Sequence, residues 1–281
     1  MNDKTNENPL QKYFRKPALY VQLPTKGKFN PEIPKTVLDE IGILPMTAID
    51  DLTMRNPDGL LNGEALISVI ESCCPSIPDV RNLCNIDVEA LYLAIQYATN
   101  GKEITHKHKC TKCEVTSDFN VDIDYLLNKF PEIESVEPIE YEDLKIHMRP
   151  PSLESVTRVA LIELEERRLL GNLNIAAGAE EGNELEISKK LYGSFKRVAE
   201  HNVELLVATV SKIESPEGEV TDSDQILEFL RNIPKSTIDK MNNVVKGITK
   251  KPDDLAKFDF VCPECGQKDT VNIETNPVNF S

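Results

Sequence analysis

The sequence predicts an α+β fold: two small cysteine hairpins with short strands, joined through a mainly helical insertion. Three observations carry this reading. Cys110-Thr111-Lys112-Cys113 and Cys262-Pro263-Glu264-Cys265 are two Cys-x-x-Cys pairs, each in a hairpin context. The arm after the first pair alternates, with Phe119, Val121 and Ile123 on one side, which is the period of a half-buried strand. Between the pairs, apolar residues recur at three- and four-residue spacing, the period of a helix with one inward face.

The cysteine pairs carry the chemistry. Zinc takes four tetrahedral ligands, and a structural site is closed by protein atoms alone. One Cys-x-x-Cys supplies two thiolates, so Cys110, Cys113, Cys262 and Cys265 fill one shell. The expected cofactor is therefore a structural Zn2+ in a zinc ribbon split by a long insertion. Such an ion would clasp the middle of the chain to its C-terminal end. Gly266 can take the positive φ that a knuckle turn needs. The competing reading is a redox-active pair, which needs a helix N-terminus to lower a thiol pKa. Neither pair precedes a helical pattern. His106 and His108 are alternative ligands, but four cysteines leave no vacancy, and a solvated basic arm is the plainer expectation. Cys73, Cys74 and Cys84 sit among apolar residues and prolines, as packing thiols do. His147 and His201 stand alone and read as structural.

Composition bounds the rest. The chain has 281 residues, enough for one large or two smaller domains, and 40% hydrophobic content supports a sizeable core. Seven cysteines and a polar N-terminus favour a reducing cytosol with metal-bound thiolates over disulfides. No apolar run approaches the ~20 residues of a membrane span. Net charge is −15, which argues against a general nucleic-acid binder and suits a protein that docks on proteins. Lys12, Arg15, Lys16, Lys26 and Lys28 form a basic exception. That stretch reads as a solubilising arm or as a tail for an acidic partner surface.

In chain order, residues 1–17 are expected to be a disordered arm, and 18–105 a mixed region with two helices. Ala18–Leu23 reads as a strand and Pro24–Lys28 as a turn. The stretch holding Pro31, Pro34 and Pro45 reads as extended and irregular, and Asn56-Pro57-Asp58-Gly59 as a turn. Gly63–Cys73 reads as a helix with Leu66, Ile67 and Ile70 inward. A second helix has Asp87 as N-cap, Ile86 stapled onto Leu91, and Asn100-Gly101 at its end. Residues 106–126 and 256–276 are the two halves of the split ribbon.

Residues 127–255 are the mainly helical insertion. It opens with an acidic solvated linker over 131–143 and a strand over Leu144–Met148. Ser152 then caps a helix to about Leu170, and Gly171–Asn183 reads as a flexible loop. A long helix follows from Glu184 to Ile213, opened by an Asn183/Glu186 capping pair, with Leu191, Phe195, Val198, Leu205 and Val210 inward. Ser215–Gly218 turns the chain. Asp222 with Gln225 opens a helix to Asn232, and Ser236 opens another carrying Ile238, Met241, Val244, Val245 and Ile248. Enzyme signatures are missing: there is no P-loop, GxSxG, HExxH or GxGxxG, and a four-thiolate zinc has no open position for catalysis.

Several blocks together resemble a known family. They are Leu23-Pro24-Thr25-Lys26-Gly27-Lys28, Leu52, Asn56 through Ala65, Cys74-Pro75-Ser76-Ile77, Ile86 through Leu91 with Ala94-Ile95 and Ala98-Thr99, and the first cysteine pair. In this order they look like the baseplate hub subunit and hub assembly proteins of T-even-like contractile-tailed bacteriophages. The match is strongest over residues 18–126. The resemblance implies a late, non-enzymatic structural or assembly protein of the tail baseplate hub. Its partners would be other baseplate or hub proteins. It would be found in the host cytoplasm during assembly and in the virion tail. Two alternatives accompany it: a hub assembly chaperone absent from the mature virion, and a zinc-ribbon nucleic-acid factor using Lys107, Lys109 and Lys112. An unrecognised enzyme, such as a cell-wall hydrolase, is a third.

Overall fold

The computed structural model describes residues 8–56, 59, 63–133, 136–177, 184–248 and 257–272. Small antiparallel sheets and helices alternate, giving the mixed α+β class expected.

The first core forms around strands β1 (Leu19–Val21) and β2 (Ile41–Ile43), which pair antiparallel. Helices α1 (Lys35–Leu38) and α2 (Ala48–Met54) lie in the proline-containing stretch that the sequence suggested was irregular. Pro34 sits at the N-cap of α1, where its missing N–H is not needed. Helix α2 is held by a Thr47/Asp50 capping box. Helix α3 (Glu64–Cys73) buries Leu66, Ile67 and Ile70 as its spacing demands. Cys73 and Cys74 are buried in the same core, and burial pushes both thiols up, Cys73 to about 11. Cys84 packs with Ile86 and Ile133 and is pushed up to about 12.

Helix α4 (Asn85–Asn100) begins earlier than expected, and its N-cap is Cys84 with no side-chain cap bond. Asp87 is not the cap. Its carboxylate lies inside the first turn and accepts hydrogen bonds from the Thr25 amide (3.0 Å) and hydroxyl (2.6 Å). The Pro24–Lys28 turn is thereby fastened onto α4. Burial pushes Asp87 up to about 6 against the pull of these bonds.

Part of the stretch expected to be a disordered arm lies among the described residues. Gln11–Tyr13 form a single 3-10 turn. Arg15 donates to Pro45 O (2.8 Å), Asp50 Oδ2 (3.1 Å), and Ser72 O and Oγ (2.7 Å each). One guanidinium thus ties three segments together. The acidic stretch after the first hairpin also has structure: Ile133 is buried and Glu132 pairs with Lys26.

The insertion contains a sheet that was only partly anticipated. Strands β5 (Ile139–Tyr141), β6 (Leu144–Met148), β7 (Val210–Ser215) and β8 (Gly218–Val220) run antiparallel in that order. Ile146 faces both Ile139 and Ile213. The helix expected to reach Ile213 ends at Ala208. Thr209 bonds back to Leu206 O through its amide and hydroxyl, while its carbonyl accepts from the Arg149 amide. Val210 onward then pairs with β6, because β-branched residues suit the pleat and the sheet satisfies their backbone.

Helix α6 (Leu153–Ala177) extends past Leu170, so the first half of the expected loop is helical; 178–183, and with them the Asn183 cap, lie outside the described residues. Ser152 does meet the Ser155 amide (3.3 Å), as its capping role requires. Helix α7 (Glu184–Ala208) buries Leu206, while Leu205 is half-buried. It meets α6 through Glu166, which accepts from Arg197 Nε (2.6 Å) and from the Ser194 hydroxyl. Those two donors hold the Glu166 carboxyl down to about 2. Helix α8 (Ser223–Asn232) is capped by Asp222 through the Gln225 amide. Helix α9 (Lys235–Ile248) begins one residue before Ser236. Both pack on the four-stranded sheet through Ile226, Leu230 and Met241.

Candidate metal centre

The two cysteine hairpins form as expected. Strands β3 (Glu103–Lys109) and β4 (Thr116–Asp122) make the first, and β9 (Lys257–Val261) with β10 (Lys268–Asn272) the second. Helix α5 (Ile123–Asn128) follows the first and starts on an Asp122 cap. Val121, Ile123 and Leu126 pack with Leu93 of α4, Phe258 and Val271, so both hairpins rest on α4 and α5.

The two knuckles repeat each other. Cys110 N donates to Val115 O (2.9 Å) and Glu114 N to Cys110 O (3.1 Å). In the second, Cys262 N donates to Gln267 O (2.8 Å) and Gly266 N to Cys262 O (3.0 Å). Gly266 has the positive φ expected (68°), and Glu114 adopts the matching φ of 59° without being glycine.

Cys110, Cys113, Cys262 and Cys265 come together, their sulfurs all within 4.8 Å of one another. Cys110 lies 3.7 Å from Cys265, and Cys113 lies 3.6 Å from Cys262. A tetrahedron with metal–sulfur bonds of about 2.3 Å has edges of about 3.8 Å. The shell is thus compatible with one ion, zinc included, and its contacts cross between hairpins. The amides of Cys113 and Lys112 pull the Cys110 thiol down to about 7. Against the pull of the Val115 amide, burial and the neighbouring thiols push Cys113 up to about 12, and Cys265 is raised as well. Among the described residues no other group of three or more metal-competent side chains gathers.

The histidines sit differently from expectation. His106 and His108 are not on a solvated arm; they share the inward face of β3 with Ile104. His108 packs edge-on against Phe260 (4.7 Å between centroids) and meets Asp269 Oδ2 at 3.1 Å. His147 Nε2 lies 3.0 Å from Glu214, and His201 lies 3.2 Å from Glu204.

Asp269 escaped sequence reading. Its carboxylate accepts from the Thr111 amide (3.1 Å) and hydroxyl (2.7 Å), besides His108. The Thr111 and His108 bonds hold Asp269 down to about 2. A signal existed: it shares the inward face of β10 with Val271, where a carboxylate is out of place without partners.

Fold and site together define an α+β protein with a four-cysteine centre assembled from remote halves of the chain. The family model described as T4 bacteriophage base plate protein matches residues 20–280. The chain belongs to that family of phage baseplate proteins. No curated protein and no solved structure matches it. Among the described residues, no helix is long and apolar enough to cross a membrane.

Proposed function

We propose that this chain is a non-enzymatic structural or assembly protein of the baseplate hub, its fold clasped by one structural zinc ion held by Cys110, Cys113, Cys262 and Cys265. The observation that carries the reading is the convergence of four sulfurs from stretches 149 and 155 residues apart, within a chain of the baseplate family. A shell of four thiolates supplies rigidity and leaves no position for a reacting water. The clasp sets the relative placement of the N-terminal core, the hairpins and the insertion, and so the surface offered to other baseplate proteins. Its place is the virion tail, after assembly in the host cytoplasm.

Two measurements test this. Elemental analysis of the purified chain should give one zinc per molecule, lost when Cys262 becomes serine. Quantitative mass spectrometry of purified virions should find the chain at a defined copy number. A chain abundant in infected lysate and missing from virions would make it an assembly chaperone instead. A chain that purifies folded with no metal would end the zinc reading.

A further inference from the structure

We propose that Asp269 is a metal-independent bolt between the two hairpins: a positioning residue that keeps the four sulfurs assembled before and after an ion is present. The inference rests on the zinc reading for its purpose and on geometry for its content.

Asp269 stands on β10, four residues beyond Cys265, yet three of its bonds reach the opposite hairpin. Thr111, which donates twice, lies between Cys110 and Cys113 inside the other knuckle. His108, the third donor, stands at the end of β3 leading into that knuckle. The partners are 158 and 161 residues away in sequence. The carboxylate is only 7% exposed, so these bonds act with little competition from water. Beside them Phe260 packs on His108 and, at 6.1 Å between centroids, on Phe119. None of these contacts uses a cysteine sulfur. The hairpins therefore have their own adhesion, one that opposes the mutual repulsion of thiolates gathered without a cation. Metal can leave and return without the long intervening segment opening.

The test uses the full chain with zinc added or chelated. In metal-stripped parent, the His108 imidazole protons should still carry the ring-current shift of Phe260. In Asp269→Ala that shift should collapse in the metal-free form and return when zinc is added. Zinc affinity, read by competition with a chromophoric chelator, should fall about 10- to 100-fold, the range for groups that orient metal ligands. Asp269→Asn keeps one carbonyl oxygen for Thr111 and should fall between parent and alanine, which carries the test if the alanine variant does not fold. A metal-stripped parent that has lost the ring-current shift would overturn the bolt. So would variants with unchanged shift and affinity. If the parent itself binds no zinc, the metal reading fails, and the metal-free comparison of parent with variant still decides the bolt.

Discussion

With zinc bound as proposed, breaking the cysteine centre should cost the protein about as much as closing the loop between its two knuckles. The shortest path joining the two knuckles through a sulfur pair runs from Cys113 to Cys262, 149 residues. An unfolded chain that held the same ion with both pairs would have to close that loop. The chain-entropy relation puts this at about 5 kcal/mol at 25 °C for a loop of this length. The folded chain has already brought the pairs together, so saturating zinc should favour folding by about this difference. At a urea slope of about 2–3 kcal/mol/M, chelating zinc from the parent should lower the unfolding midpoint by roughly 2 M. Cys262→Ser should show nearly the same lowered midpoint with zinc present, and chelator should then do nothing more. Equal midpoints for parent and variant, or an equal chelator effect on both, would refute the reasoning.

Asp87→Asn should change the pH dependence of stability. The folded Asp87 pKa is raised from 3.8 to about 6, so the folded chain binds the proton more tightly and this group's penalty is full above pH 7. The penalty eases as pH falls through 6, by about 2 kcal/mol at pH 4.5, so urea midpoints should show parent gaining on the asparagine variant between pH 7.5 and 4.5. Glu114→Gly should raise stability by about 0.5–1 kcal/mol, since Glu114 holds a positive φ and its exposed pair with Lys109 contributes little. Gly266→Ala should lose a similar amount from backbone strain alone, because an added Cβ meets nothing within 4 Å; thermal melts compare the two. Arg15→Ala should cost roughly 2–3 kcal/mol, as charged hydrogen bonds to Asp50 and Ser72 are lost. Limited proteolysis should then cut near residues 8–17 faster than in the parent.

Elements with a strong local signal were legible. The α3 stripe, the Asp222 cap of α8, the Pro216-Glu217 turn between β7 and β8 and the two cysteine hairpins all follow from spacing and turn chemistry. Elements that depend on remote partners were not. Helix α2 is an exception: its Thr47/Asp50 capping box is a local signal, overlooked because Pro31, Pro34 and Pro45 make the stretch read as irregular. The sequence from Glu184 onward reads as one helix to Ile213, yet β6 captures its last four residues as a strand. Asp87 has the right residue type for a cap, but a buried hydrogen bond to Thr25, 62 residues earlier, claimed it. In the last two cases a long-range backbone or side-chain partner outweighed a local preference of about 1 kcal/mol or less.

By itself the sequence determined the four candidate ligands, their division into two half-sites, the acidic net charge and the baseplate family. A thiolate pair two residues apart is a local feature, so its half-site is written where it stands. What only the tertiary structure decided is whether the halves meet and what holds them. Convergence across about 150 residues is a property of packing on α4 and α5, and the Asp269 bridge exists only once both hairpins lie face to face. Local chemistry names the donors; burial and long-range pairing choose their neighbours.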